Sequence, residues 1–230
     1  ASVYSGVEKK LGKLNLNKFK ISSKLKKIPN NCKNIKKRIF NEINDSINNL
    51  NVKKIEHFFL HHPQDLINKK TKYEVYKSLT QAKKLGLIKK IGISIYSFQE
   101  LNKIINKFKV DIVQIPYSLF DRRFEIIMRK LRNKKIHIQA RSIFLQGLLL
   151  SDYNDLPKKF LKFNHLKKFE NWIKKNKITR IQAAVSFVKQ MKLIDSYVIG
   201  FNNLQQLKEI YLLFKTKNKK FPKNISSNNI

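Results

Sequence analysis

The sequence is poor in the residues that would make several functions visible. Its 230 residues include a single cysteine, Cys32, so no disulfide can close within the chain. A lone cysteine near a helix start reads as a spectator rather than a nucleophile. Glycine occurs six times and never as G-x-G-x-x-G or G-x-x-x-x-G-K-[ST], which disfavours the common nucleotide-binding open sheets. No apolar run reaches the roughly 18 residues of a membrane span, and no signal peptide is visible. A cytoplasmic protein without membrane attachment is expected. No internal repeat is evident.

Acidic residues are also scarce. There are 15 Asp and Glu against 50 Lys and Arg, a net charge of +35. Such a charge raises the question of a nucleic-acid or anionic-membrane partner. Nucleic-acid surfaces concentrate charge on one face, with aromatic or arginine readers between. Here lysine far outweighs arginine and is spread over helices, turns and tail alike. Composition bias explains that spread, and no nucleic-acid partner is expected. The charge should still attract anions, phosphorylated cofactors included. With 42% hydrophobic and 11% aromatic residues, the chain has enough apolar material for one buried core.

Short apolar runs alternate with helical patterns. The strand candidates are 19–23, 55–61, 90–95, 111–116, 136–142 and 196–200. Most are nearly continuous apolar runs, as in parallel strands covered on both faces. The helix candidates are 6–14, 33–50, 73–85 with Gly86 as its stop, 98–108, 124–133, 166–175, 181–191 with Thr179 as N-cap, and 204–214 capped by Asn202 or Asn203. The apolar run 144–150, interrupted by Gly147, reads as a loop. Repeated strand–helix units imply a parallel sheet with right-handed crossovers. The first strand ends recur at roughly 30 residues per unit, as in a (β/α) barrel. A single barrel domain over 1–214 is expected, followed by a polar, loosely ordered tail over 215–230.

In such a barrel, active groups project from the C-terminal ends of the strands. Those ends carry Lys24, His61 with His62, Ser94, Gln114, Arg141 with Ser142, and Gly200. Buried polar groups need partners or a ligand. Read singly, Tyr4 is a surface aromatic, Lys24 one lysine of many and His61 a satisfied core histidine. A metal on the His61–His62 pair is not expected, because neighbours on a strand face opposite ways.

Six segments in order resemble the aldo/keto reductase family. Ala1-Ser2-Val3-Tyr4-Ser5-Gly6-Val7-Glu8-Lys9-Lys10-Leu11-Gly12 is similar to its D-T-A-x-x-Y-G-x-S-E-x-x-L-G element, entered at the alanine. Ile21-Ser22-Ser23-Lys24-Leu25 resembles the strand of the catalytic lysine, and Phe59-Leu60-His61-His62-Pro63 the L-x-H-x-P element. Ile91-Gly92-Ile93-Ser94-Ile95-Tyr96 resembles G-V-S-N-F/Y. Asp111–Tyr117 resembles the strand that offers a glutamine to the nicotinamide. Val198-Ile199-Gly200 with Asn203–Glu209 resembles the cofactor-phosphate segment.

The resemblance implies an α/β fold, the (β/α)8 TIM barrel, with about six of its eight strands in this chain. It implies an NAD(P)H-dependent oxidoreductase that reduces an aldehyde or ketone. Tyr4 would donate the proton, Lys24 would lower the pKa of that phenol, and His61 would orient the carbonyl. Ser94, Gln114, Arg141 and Ser142 would hold the nicotinamide end. Gly200, Asn202, Asn203, Gln206 and Glu209 would meet the phosphate end, at a helix N-terminus.

Three positions depart from the pattern. Ile95 replaces the usual asparagine, Arg141 stands for an aromatic whose stacking its guanidinium can imitate, and Gln206 replaces an arginine of NADPH-preferring members. The positive charge still favours NADPH, with NADH as the alternative. The family's catalytic aspartate would lie just before Ala1, so a chain truncated at its N-terminus is expected. Around Arg141, Ala140–Leu149 resembles a bacterial branch associated with surface-sugar biosynthesis. The substrate class is a small-molecule carbonyl, with oligomeric state unspecified. Two other readings stand beside this one: a regulatory aldo/keto reductase-like subunit with little turnover, and a basic nucleic-acid binder.

Overall fold

The computed structural model describes residues 1, 2, 4, 6–161, 163–216, 220–222 and 225. Its elements run α1 (Val7–Leu11), β1 (Ser22–Leu25), α2 (Ile35–Leu50), β2 (Ile55–Leu60), α3 (Lys72–Lys84), β3 (Ile88–Ser94), α4 (Phe98–Ile105), β4 (Ile112–Pro116), α5 (Glu125–Asn133), β5 (His137–Arg141), α6 (Lys158–Leu161), α7 (Asn164–Asn176), α8 (Arg180–Gln190), β6 (Ser196–Tyr197) and α9 (Leu204–Lys215). Single 3-10 turns cover Pro63–Leu66 and Leu145–Gly147. The strands are neighbours in the order in which the chain makes them, β1-β2-β3-β4-β5-β6. Doubly wound sheets reverse their strand order at a switch point, whereas barrels do not. Sequential order therefore selects the barrel-type α/β arrangement.

The chain divides into two compact units. The first is Ala1–Gln114 with Lys135–His137. Its strands pair in parallel, with Lys24 beside Phe59, Phe59 beside Gly92, and Ser94 beside Gln114. Alternation along the strands puts Ser22, Lys24, His57, Phe59, Lys90, Gly92 and Ser94 on one face. The other face carries Leu25, Phe58, Leu60, Ile91 and Ile93, all buried, as are Ile39, Ile43, Val75, Leu79, Leu101 and Ile104 of the helices. A Cβ on Gly92 would lie 2.4 Å from the Phe59 ring, so glycine lets that ring lie against the next strand. Asn34 caps α2 by accepting from the Lys37 amide at 2.8 Å. Gly86, at φ 75, follows α3 in the left-handed region as expected.

The second unit is Ile115–Lys134 with Ile138–Ile230. Here β5 and β6 pair through Gln139–Ser196 and Ala140–Tyr197. Asp195 accepts from the Ile138 amide at 2.8 Å and pairs with Arg132. Thr179 forms a reciprocal capping box with Gln182 at the start of α8. Tyr117 and Phe187 stack at 5.5 Å, and Phe221 meets Trp172, Phe187 and Phe169 at 4.5, 5.7 and 6.3 Å.

Four expectations need correction. The first strand begins at Ser22, not at 19. Phe19 is 68% exposed, in a turn closed by its amide on the Leu16 carbonyl at 2.9 Å. Its apolar ring imitated a strand residue without a neighbour to cover it. The last strand is only Ser196–Tyr197. His61 and His62 follow β2 rather than continue it, so strand alternation does not separate them, and their rings meet edge to face at 5.0 Å. The segment after α9 is not uniformly loose, because Phe221 and Ile225 are buried. Residues 217–219, 223, 224 and 226–230 of that expected tail lie outside the described residues, as do Val3, Ser5 and Lys162.

Candidate active site

Lys24 lies on β1 with its side chain on the polar face of the sheet, half-buried. Its ammonium stands 5.4 Å from the centroid of the Tyr4 ring. Tyr4 itself is 55% exposed, so a substrate could reach it. Two backbone ties fix the surroundings. The Ser2 hydroxyl donates to the Lys24 carbonyl at 2.7 Å. The His61 amide donates to the Leu25 carbonyl at 3.3 Å, extending the β1–β2 ladder one residue past β2. The chain segments bearing Tyr4, Lys24 and His61 are thus held together at the C-terminal end of β1 and β2.

Two strands on, Ser94 and Gln114 are both buried and face each other across β3 and β4. The Ser94 hydroxyl donates to Gln114 Oε1 at 3.2 Å. A hydroxyl beside a carboxamide, buried at strand ends, matches the donor and acceptor needs of another carboxamide. Ile95, in the usual asparagine position, is buried, and its side chain offers no polar atom.

The other expected cofactor residues belong to the second unit. Arg141 donates to the Ser142 hydroxyl at 3.3 Å, and Ser142 has φ 57. Asn203 caps α9 by accepting from the Gln206 amide at 2.9 Å, which settles the choice between Asn202 and Asn203. Gln206 returns its side-chain oxygen to the Asn202 amide at 2.8 Å. These amides already have side-chain acceptors, which an arriving phosphate would have to replace. Gly200 has open space around the position of a Cβ, and Glu209 is exposed.

Two carboxyl groups near the site are held above their ordinary range by burial. Glu42 accepts from the Lys26 amide at 3.0 Å, and Asp65 from the Ile28 amide at 3.2 Å. Both thereby anchor the loop that follows Lys24. A cavity of about 240 Å³ opens beside Tyr4, between α1 and α2, but includes neither Lys24 nor His61. It is therefore not the expected substrate pocket. Among the described residues, no group of three or more His, Cys, Asp or Glu could hold a metal, and no helix is long and apolar enough to cross a membrane.

The aldo/keto reductase family model matches residues 1–224. The chain belongs to the aldo/keto reductase family. Aldo-keto reductase YhdN of Bacillus subtilis is 28% identical over 113 residues, which are 49% of this chain and 33% of that protein. The match thus spans about a third of that relative. The aldo-keto reductase AKR11C1 of Bacillus halodurans, solved in apo and holo forms, superposes with a TM-score of 0.78 at 16% identity. It covers 97% of this chain and 78% of its own. The thermostable aldo-keto reductase Tm1743 gives 0.69 at 18% identity, over 92% of this chain and 73% of its own. The fold is accordingly that of the aldo/keto reductase barrel.

One member of this neighbourhood carried no role in the sequence reading. Glu8 stands at the glutamate of the family element that carries Tyr4. In the structure it is buried to 4% exposure, with the Ser23 and Ser46 hydroxyls on its carboxylate. The glutamate of the family element marks the position, but the two serine contacts give no signal in the sequence.

Proposed function

We propose that this aldo/keto reductase reduces an aldehyde or ketone with NADPH, using Tyr4 as proton donor. The observation that carries the reading is the Lys24 ammonium 5.4 Å from the Tyr4 ring. That contact brings together the two side chains that the proton-donating step requires. His61, held beside Leu25 through its amide, would donate to the carbonyl oxygen and orient it. The buried Ser94–Gln114 pair fits the carboxamide of a nicotinamide, and the α9 N-terminus would take a phosphate in place of the Asn203 and Gln206 side-chain oxygens. When bound, the reduced nicotinamide supplies the hydride. The chain's own residues then hold the carbonyl in place and deliver the proton from the Tyr4 oxygen. The surplus of lysine favours the additional phosphate of NADPH over NADH. The partner is a small carbonyl compound.

The test is oxidation of NADPH by the full protein with a panel of aldehydes. Tyr4→Phe should lower kcat by about 10²- to 10⁴-fold, the usual contribution of a general acid. An unchanged kcat would remove Tyr4 from the mechanism. Tight NADPH binding with no turnover over the whole panel would favour a regulatory subunit instead.

A further inference from the structure

Building on the proposed carbonyl-reductase site, we infer that Glu8 is the positioning residue that sets Tyr4 against Lys24. Glu8 lies in α1, four residues after Tyr4. Its Oε1 accepts from the Ser23 hydroxyl at 2.5 Å and from the Ser46 hydroxyl at 3.2 Å. Ser23 is the residue before Lys24 in β1, and Ser46 lies on α2. One carboxylate oxygen therefore joins the helix after Tyr4, the strand of Lys24, and the helix packed behind that strand.

The rest of α1 does little to hold it there. Glu8 is its one buried residue, while Val7 and Leu11 are 36% and 39% exposed. Gly6, at its start, supplies no side-chain cap. The helix is thus attached to the sheet by a polar contact where most helices use an apolar face. A second attachment lies at its far end, where Gly12 approaches the Asn49 carbonyl so closely that a Cβ would stand 2.1 Å away. That contact fixes α1 to α2 but not to β1. On the other side of Tyr4, the Ser2 amide donates to Ser23 Oγ at 3.4 Å and its hydroxyl to the Lys24 carbonyl. Tyr4 is thereby bracketed by two ties that converge on Ser23 and Lys24.

Glu8 takes no part in proton transfer. Ser23, its partner, is buried on the sheet face opposite Lys24, by strand alternation. What it controls is distance, and a displacement of about 1 Å at reacting atoms costs on the order of 100-fold in rate. Burying a carboxylate without donors is costly, so its two serine bonds hold the arrangement firmly.

The test compares Glu8→Ala, Glu8→Gln and Tyr4→Phe in the full protein, measuring kcat, KM for an aldehyde and Kd for NADPH. Glu8→Ala should lower kcat by about 10- to 100-fold with Kd for NADPH unchanged. Glu8→Gln retains an oxygen acceptor for both serines and should return kcat to within a few-fold of the parent. A parent-like kcat in Glu8→Ala, or a loss in Glu8→Gln as large as in Glu8→Ala, overturns the assignment. If Glu8→Ala does not fold, Ser23→Ala decides: a fall in kcat at constant Kd supports the role, and an unchanged kcat ends it. If Tyr4→Phe keeps the parent rate, the failure lies with the reductase reading itself. If Tyr4→Phe collapses while Glu8→Ala does not, only the positioning role fails.

Discussion

At the scale of single residues, one tight requirement in the first unit is at Gly92. A Cβ there would stand 2.4 Å from a ring carbon of Phe59, and Phe59 shares its strand with the residue next to His61. Gly92→Ala should destabilise the protein by about 1–3 kcal/mol through overpacking, read as a lower denaturant midpoint. Gly92→Ala with Phe59→Leu should recover part of that loss. His57, on the same face, shows a second requirement. Burial, then the neighbouring Lys90 and His137, pushes its imidazole down to about 4. Above pH 6.5 it is neutral in both folded and unfolded chains. As pH falls from there to about 4, the unfolded chain takes up a proton that the folded chain refuses, so stability declines across that window. His57→Gln should flatten the decline, measured as denaturant midpoints at pH 7, 5 and 4. Residues like these set the limit of reading at this scale. Tyr4, Lys24 and His61 were visible because each sits in a motif. The burial of Glu8 and His57 was not, because burial of a polar side chain depends on neighbours distant in sequence.

At the scale of elements, legibility followed the local chemistry of the ends. Thr179, Asn203 and Gly86 terminate helices by contacts within a few residues, and all three were readable. The limits of the first and last strands were not, because strand extent is decided by partners across the sheet. Thr179→Ala should remove one half of the α8 capping box and cost about 1 kcal/mol, measurable by thermal or denaturant unfolding. Behind that cap, Arg180 pairs with Glu170 at 2.8 Å, with both side chains largely buried. Arg180→Met leaves the Glu170 carboxylate with only the exposed Lys174 at 3.4 Å. The expected loss is about 3–5 kcal/mol, as for a broken buried pair. The double variant Arg180→Met with Glu170→Leu should recover most of it.

At the scale of the whole molecule, the barrel class was legible because βα alternation and strand-end polar groups repeat along the chain. The sequential strand order could only be seen in the fold. The net charge of +35 adds a collective effect that no single residue carries. Self-repulsion opposes the compact state and is screened over about 10 Å at 0.1 M salt. The melting temperature should therefore rise between about 20 and 300 mM NaCl; a flat profile would mean that the spread of lysines already keeps them apart. The aromatic cluster of the second unit carries a different consequence. Phe221 is 2% exposed against Trp172 and Phe187, and lysines stand at 215, 217, 219 and 220 on its N-terminal side. For a protease that cuts after lysine, those four bonds are a shortcut into the core: one cleavage subtracts Phe221 together with the buried Ile225. The working lifetime of the second unit then depends on how long this short segment stays seated.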